Sequence, residues 1–410
     1  MTPLALGIDL GTSGVRIAVI TRGGDLLHTE ATTYHRGLND PSDWLRCCTT
    51  LIRTIPESLR LRIHTLSIDG TSGTLLACDA AGNPLGGALP YSLAFPEHCE
   101  ELHALVPEGG PAASSSGSLA RALTLIQLHG DDILLRHQAD WMSGWLLQNW
   151  SSGEEGNNLR LGWNLLARGW PASFAQQRWA KALPLICASG HVMGRIDGDV
   201  ARELGLRESV SIVAGTTDSN AAVLAADPGD SEGITVLGST VVVKCFSDAP
   251  LIGPGITNHR VGGRWLCGGA SNTGGAVLLQ QFPGIDLDEL SRQIDPEQAS
   301  GLDYWPLTGQ GERFPIDDPL LMPRLTPRPV SDALFLHGLL EGMARIEAQG
   351  WKRLMALGAN TPRRVITLGG GARNPQWRRI RERIIGCQVT RCLTPPAAGV
   401  ARLALPPLKD

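Results

Sequence analysis

Apolar runs punctuated by glycine mark the first elements. Residues 4–9, 14–20 and 25–33 are rich in apolar and β-branched side chains between Gly-containing turns, which predicts three strands in a meander. Residues 44–59 then predict a helix, 63–69 a strand and 74–79 another, closed by the turn Ala80-Ala81-Gly82-Asn83, so the order is α/β. The small, polar stretch 109–117 reads as a surface loop, and 118–129 and 139–149 have helical periodicity. Residues 150–170 carry Trp, Gly and Asn without a clear period and read as loop. A second round begins near Ser209, with a strand at 212–214, the turn Gly215-Thr216-Thr217-Asp218, a helix at 219–224 and a strand at 234–237. Gly238-Ser239-Thr240 followed by 241–244 echoes Gly11-Thr12-Ser13-Gly14 followed by 15–20. That echo suggests two related α/β domains facing each other across a cleft, although turn chemistry alone can also produce two short matches.

Length supports the division, because a single core stops growing near ~250–300 residues and this chain has 410. Charge narrows the partners: 36 basic and 40 acidic residues leave a net −4, so no broad basic field exists to bind nucleic acid. Only Lys181, Lys244, Lys352 and Lys409 are lysines, and none completes the G-x-x-x-x-G-K-[ST] phosphate loop. The nine cysteines form no C-x-x-C pair, the N-terminus lacks export-signal features, and no apolar run reaches the ~18 residues of a membrane span. A cytoplasmic protein with reduced thiols and no membrane partner is expected.

The candidate chemistry gathers at glycine-rich turns. Gly7-Ile8-Asp9-Leu10-Gly11-Thr12-Ser13-Gly14 puts a carboxylate at a strand end beside a turn whose backbone N–H groups can face an anion, which suits Mg²⁺ and phosphate. An ordinary hairpin with a turn-capping Asp fits the same octet. Gly238-Ser239-Thr240 offers a second turn, and Gly369-Gly370-Gly371-Ala372-Arg373-Asn374, after a strand at 364–368, a third; together the three could clamp a nucleotide. The third is not G-x-G-x-x-G and lacks the acidic ribose partner, which excludes a dinucleotide-dependent dehydrogenase. No H-E-x-x-H occurs, and the basic run 378–383 reads as an exposed helix face.

These turns, with Gly215 to Asp218, Gly311-Glu312-Arg313-Phe314-Pro315 and Leu339-Leu340-Glu341-Gly342, resemble in order the motifs of the FGGY carbohydrate kinases over nearly the whole chain. Within that family the short length, Asp69-Gly70-Thr71-Ser72-Gly73-Thr74 and His137-Gln138-Ala139-Asp140-Trp141 are similar to the compact cyanobacterial and plant kinases of D-ribulose. The resemblance implies two actin-like (ribonuclease H-like) ATPase domains with ATP and sugar meeting in a cleft. An N-terminal domain at 1–225, completed by 394–410, would carry sugar and base, a domain at 226–393 would bind ATP, and a hinge would lie near 225–233. Asp218 would be the catalytic base or, on its residue context alone, a helix cap. Asp9 would hold Mg²⁺ and face substrate, Gly11, Thr12, Ser13, Gly14, Gly238, Ser239 and Thr240 would cradle phosphate, and Ser72 would meet a sugar hydroxyl or simply satisfy its turn. Gly370, Gly371, Asn374 and Trp377 would form the adenosine end, Trp377 either as an open aromatic face or as helix packing. The implied reaction is ATP-dependent phosphorylation of D-ribulose to D-ribulose 5-phosphate. D-xylulose, another small polyol, or an ATP-binding module of actin or chaperone type are the alternatives. Where many members carry Trp-x-Asp-x-Arg, this chain has Tyr91-Ser92-Leu93-Ala94-Phe95, which implies altered sugar specificity.

Overall fold

The computed structural model describes residues 3–405, so 406–410 of the expected C-terminal segment lie outside the described residues. β1 (Leu4–Leu10), β2 (Gly14–Ile20) and β3 (Leu26–Thr33) form the expected antiparallel meander, and β4 (Ile63–Gly70) lies parallel to β1. β5 (Leu75–Cys78) and β6 (Leu134–His137) pair separately, as do β7 (Ser152–Glu154) and β8 (Leu185–Cys187). β9 (Val192–Arg195) and β10 (Ser211–Thr217) complete a six-stranded sheet of order β3-β2-β1-β4-β10-β9, with β10 parallel to β4. A second six-stranded sheet uses β11 (Glu232–Leu237), β12 (Val241–Ser247), β13 (Ile256–Val261), β14 (Arg264–Ser271), β15 (Arg364–Leu368) and β16 (Gln388–Arg391), in the order β13-β14-β12-β11-β15-β16. Here too the leading strand pairs antiparallel with its successor on one side and parallel with a later strand on the other. The chain divides into two compact units: the first takes the described residues up to Ala225, Arg260–Gly263 and those from Thr394, and the second takes Ala226–His259 and Arg264–Leu393.

In the first unit β1 is covered on both faces, and its sequence shows how. Leu4, Leu6, Ile8 and Leu10 pack with Trp44, Cys48, Leu51 and Ile52 of helix Pro41–Thr54 and with Trp141 and Met142. The alternate face is small: Ala5 lies with Ala18 and Val213 against Ala397, Ala398 and Ala401 of helix Pro396–Leu403. Gly7 is required there, since a Cβ would stand 1.9 Å from the Ala397 carbonyl oxygen. Asp9 continues this face by the two-residue period of a strand.

Expectations for the helix after β3 and for residues 150–170 change. The helix expected at 44–59 runs Pro41–Thr54: Asp40 caps it by accepting from the Ser42 N–H, Pro41 fits its first turn, and Ile55, extended before Pro56, ends it. Residues 150–170 are not plain loop. They hold β7 and the 3₁₀ turn Asn157–Leu161 around buried Glu154, which accepts from the N–H groups of Gly156 and Asn157 at 2.8 Å each and from Asn157 Nδ2 at 3.0 Å. Burial still pushes the Glu154 carboxyl well above the usual carboxylate range.

The second unit is tied by a buried ion pair. Helix Asp332–Ala356, capped by Ser331, brings Glu347 to Arg381 of helix Pro375–Ile385, whose Nε and Nη2 donate to its two oxygens at 2.6 and 2.7 Å. Arg381 Nη1 donates to Thr367 Oγ1 at 2.7 Å, and Thr235 Oγ1 donates to Glu347 at 2.5 Å, so both helices are fastened to β11 and β15. The basic run 378–383 is therefore not wholly an exposed face: Arg381 is 1% exposed, on the inward side with Trp377 and Ile380. Glu347→Ala would leave a buried guanidinium without its anion, and it is expected to lower the unfolding free energy of this unit by about 3–5 kcal/mol. Urea unfolding checks this; a loss below about 1 kcal/mol would contradict it.

Candidate active site

The parallel register of the first sheet brings together acids that lie far apart in sequence. Asp9 of β1 is the cross-strand partner of Asp69 of β4, and Asp69 is in turn the partner of Thr216 of β10, two residues before Asp218. Three carboxylates thus stand at the C-terminal ends of three neighbouring parallel strands, where open α/β sheets bind ligands. Asp9 is 2% exposed and Asp69 is fully buried, whereas Asp218 is half-buried. Asp218 opens helix Asp218–Ala226, and its Oδ1 accepts from the Ser219 N–H at 2.7 Å. The stretch Gly215 to Thr217 is the end of β10 rather than a turn, and Gly215 lets β10 pass close to β4, since a Cβ would meet the Ile68 carbonyl oxygen at 1.8 Å.

Electrostatics distinguish these acids. Arg16, opposite Asp9 on β2, donates from Nη1 to Asp9 Oδ2 at 3.1 Å. Burial nevertheless raises the Asp9 carboxyl above its ordinary value, with Arg16 and a hydrogen bond to Asp69 pulling the other way. Asp69 is raised well above the usual range, first by burial, then by the charges of Asp9 and Asp218, and neither of its oxygens has a donor among the described residues. The arrangement suits a proton on Asp69 donated toward Asp9, or a cation in its place. The sequence reading passed over Asp69 as a site residue. Its local signal was available, because Ser67-Ile68-Asp69-Gly70 closely matches Gly7-Ile8-Asp9.

The turns sit at the same sheet end. Gly11 N–H donates to the Gly14 carbonyl at 2.9 Å, which closes the β1–β2 turn and leaves Thr12 and Ser13 exposed. A cavity of about 380 Å³ opens beside it, lined by Ser13, Arg16 and Thr33 among others. Ser72 lies half-buried in the turn after β4, which Thr71 stabilises: its hydroxyl bonds Thr74 Oγ1 at 2.7 Å and Gln138 Oε1 at 2.8 Å. Gln138 therefore serves the turn, while His137 bonds Ser118 Oγ at 2.9 Å and Asp140 accepts from the Glu154 N–H at 2.9 Å.

In the second unit the ends of β11 and β15 lie side by side, because Val236 pairs with Leu368. This brings Gly238, Ser239 and Thr240 beside Gly369 and Gly370, and a Cβ on Gly369 would lie 2.5 Å from the Leu237 carbonyl oxygen. Residues 273–276, absent from the sequence reading, brace the first turn: Val241 N–H donates to the Thr273 carbonyl at 2.7 Å and Gly275 N–H to the Gly238 carbonyl at 2.9 Å. Glu312 of the Gly311 to Pro315 motif is buried and accepts from Ser271 Oγ at 2.6 Å and Asn272 N–H at 2.8 Å, so it holds that brace. The adenosine-end residues divide. Gly370 is open, with nothing within 4 Å of a Cβ, but Trp377 is 3% exposed in the core, where a Cβ on Gly371 would touch its ring at 2.6 Å. The packing reading of Trp377 replaces the open aromatic face. Asn374 caps helix Pro375–Ile385, accepting from the Trp377 N–H at 3.0 Å, while its Nδ2 donates to Ser291 Oγ at 2.8 Å.

No family model matches the chain. It is 24% identical to the xylulose kinase of Escherichia coli (strain K12) over 434 residues, which covers 97% of this chain and 89% of that protein. Among solved structures, the xylulose kinase from Rhodospirillum rubrum superposes with a TM-score of 0.81 at 19% identity, over 98% of this chain and 89% of that one. Plasmodium falciparum glycerol kinase with ADP gives 0.81 at 15% identity, over 98% and 89%. The fold is the two-domain, actin-like ATPase fold, and the similarity to carbohydrate kinases runs the length of the chain.

The raised Asp69 makes a signed prediction. A carboxyl whose folded value lies above its unfolded one contributes stability that is present at low pH and lost as pH rises through the folded value. Asn needs no proton and can still donate to Asp9. In metal-free buffer, Asp69→Asn is expected to raise the thermal midpoint at pH 8 by about 2–4 °C, with a smaller gain at pH 5. Thermal scans at the two pH values check this, and a lower midpoint at pH 8 would contradict it.

Proposed function

We propose that this chain is an ATP-dependent carbohydrate kinase acting on a pentulose. The observation that carries the reading is the half-buried Asp218 at the same sheet end as Asp9, Asp69 and the Gly11 to Gly14 turn. A kinase of this class needs a carboxylate to take the proton of the attacking hydroxyl and fixed donors to hold the phosphoryl group. Asp218 would take that proton as the sugar oxygen bonds to the γ-phosphorus and the bond to the ADP oxygen breaks. Ser72, close by in the turn after β4, would hold another sugar hydroxyl. Thr12 and Ser13, exposed in the turn that Gly11 and Gly14 close, would face the transferring group with their hydroxyls and N–H groups, and Gly238, Ser239, Thr240, Gly370 and Gly371 would serve the rest of the nucleotide.

Mg²⁺ fits the donors present. Among the described residues no group of three ligating side chains forms a metal cage, and Mg²⁺ commonly takes one or two carboxylates beside substrate phosphates while keeping several waters. Asp9, with the donor-less oxygens of Asp69 beside it, would hold such an ion. When bound, it would neutralise phosphate charge during transfer. Arg16 would keep Asp9 oriented.

For the sugar, D-ribulose is the preferred reading, because Tyr91 to Phe95 lacks the carboxylate and guanidinium of the Trp-x-Asp-x-Arg element, as the compact D-ribulose kinases tend to. D-xylulose stands beside it through the E. coli relative. A panel of pentuloses and polyols assayed for ADP formation is expected to give the highest kcat/KM with D-ribulose. A higher value with D-xylulose would transfer the assignment, and ADP formation indifferent to every sugar would leave only a nucleotide-binding module.

Asp218→Asn is expected to lower kcat by about 10²–10⁴ while ATP affinity stays near that of the parent. Steady-state kinetics with calorimetric ATP titration check this, and near-normal turnover would remove Asp218 from the chemistry.

A further inference from the structure

The segment that replaces the Trp-x-Asp-x-Arg element is held in place with unusual thoroughness. Arg121, on helix Ser118–His129, is fully buried, and its guanidinium donates to four main-chain carbonyls. Nε donates to the Pro90 oxygen at 2.9 Å, Nη1 to Ser116 at 3.0 Å, and Nη2 to Leu93 at 2.6 Å and also to Tyr91. Burial, and after it the charge of Arg160, lowers its pKa to about 10, so the charge is retained near neutrality and satisfied by carbonyl dipoles. On the other side Leu89 pairs with Leu75 in both directions, at 2.8 and 3.1 Å, and the Tyr91 N–H donates to Thr74 Oγ1 at 3.3 Å.

What this pinned backbone presents is the Tyr91 side chain. It passes the Gly73 turn, where an added Cβ would lie 3.6 Å from the Tyr91 Cβ, and its hydroxyl reaches Thr12 Oγ1 at 3.2 Å. Thr12 is exposed at the tip of the β1–β2 turn. A threonine hydroxyl has one proton, and a phenol is the more acidic donor of the two. With Tyr91 donating, the Thr12 proton is directed away from the ring and toward an anion on the open side of the turn.

We propose that Tyr91 is a positioning residue for phosphoryl transfer, fixing the Thr12 hydroxyl as a donor to the terminal phosphate of ATP, with Arg121 holding the backbone that delivers it. The inference rests on the kinase reading above. It differs from the direct roles given there to Thr12 and Asp218, because Tyr91 acts only through Thr12. Preorganised donors of this kind spare reorganisation as phosphoryl charge develops.

The test compares ligands that differ in the terminal phosphate. Tyr91→Phe keeps the ring and is expected to weaken binding of Mg²⁺ with a non-hydrolysable ATP analogue about 3- to 10-fold, and that of ADP less than about twofold, by calorimetry. In a Thr12→Val background the same substitution adds nothing, whereas in Thr12→Ser, which restores the hydroxyl, its effect returns. Unchanged analogue affinity in Tyr91→Phe, an equal loss for ADP, or an undiminished loss in Thr12→Val overturns the proposal; circular dichroism confirms that each variant is folded. The kinase reading fails by a separate result, the absence of sugar-dependent ADP formation by the parent protein, while the calorimetric comparison needs no turnover.

Discussion

The pairing of β1 with β4 sets two aspartates side by side in a buried place. Adjacent strands are roughly 4.8 Å apart, and two carboxylates at that spacing, out of water, cannot both be ionised without a proton or a cation between them. The pairing follows from sheet packing: large side chains at Leu4, Leu6 and Ile8 fill one face, and the close approach of helix Pro396–Leu403 at Gly7 fixes the other. Asp9 and Asp69 stand where those strands end. Arg16 partly offsets the charge, but the donor-less Asp69 leaves a demand for positive charge unmet by the protein. A site that must acquire a proton or metal, beside a turn that exposes Thr12 and Ser13, is the physical basis of the kinase reading.

The two sheets repeat one pattern and diverge in chemistry. β1 with β4 and β11 with β15 are parallel pairs flanked by an antiparallel neighbour. Where the first pair ends in Ile8-Asp9 and Ile68-Asp69, the second ends in Val236-Leu237-Gly238 and Leu368-Gly369. One unit therefore presents acids and hydroxyls, and the other presents open backbone at glycine turns. Buried polar groups hold each set: Glu312 braces the turn after β11 through residues 271–273, and Arg121 fixes the segment that carries Tyr91. Neither contributes an atom at the exposed surface, so each acts by limiting how far the exposed groups can move.

Legibility in the sequence followed locality. The opening strands, the helix at 118–129 and the place of Asp9 at a strand end could be read because each rests on a short local run of apolar residues, whereas the turn expected at Gly215 to Thr217 is the end of β10. Asp69 carries the same local mark, but its importance comes from register between strands distant in sequence, which no local pattern states. Trp377 and Asn374 looked available because their types suit a nucleotide, yet the helix uses both, one as packing and the other as cap. Arg381 lay within an apparently solvated run until the helical period turned it toward Glu347. Residues 150–170 lacked any apolar period because polar groups organise them around Glu154.

A crystal structure with Mn²⁺, ADP and the best sugar of the panel tests the central claim most directly. Mn²⁺ reports its position by anomalous scattering and takes the oxygen ligands of Mg²⁺. The account predicts an anomalous peak joined to the Asp9 carboxylate directly or through one coordinated water, with a sugar hydroxyl within hydrogen-bond distance of Asp218. A metal bound away from Asp9 and Asp69, or a sugar seated where Asp218 cannot reach it, would contradict the account.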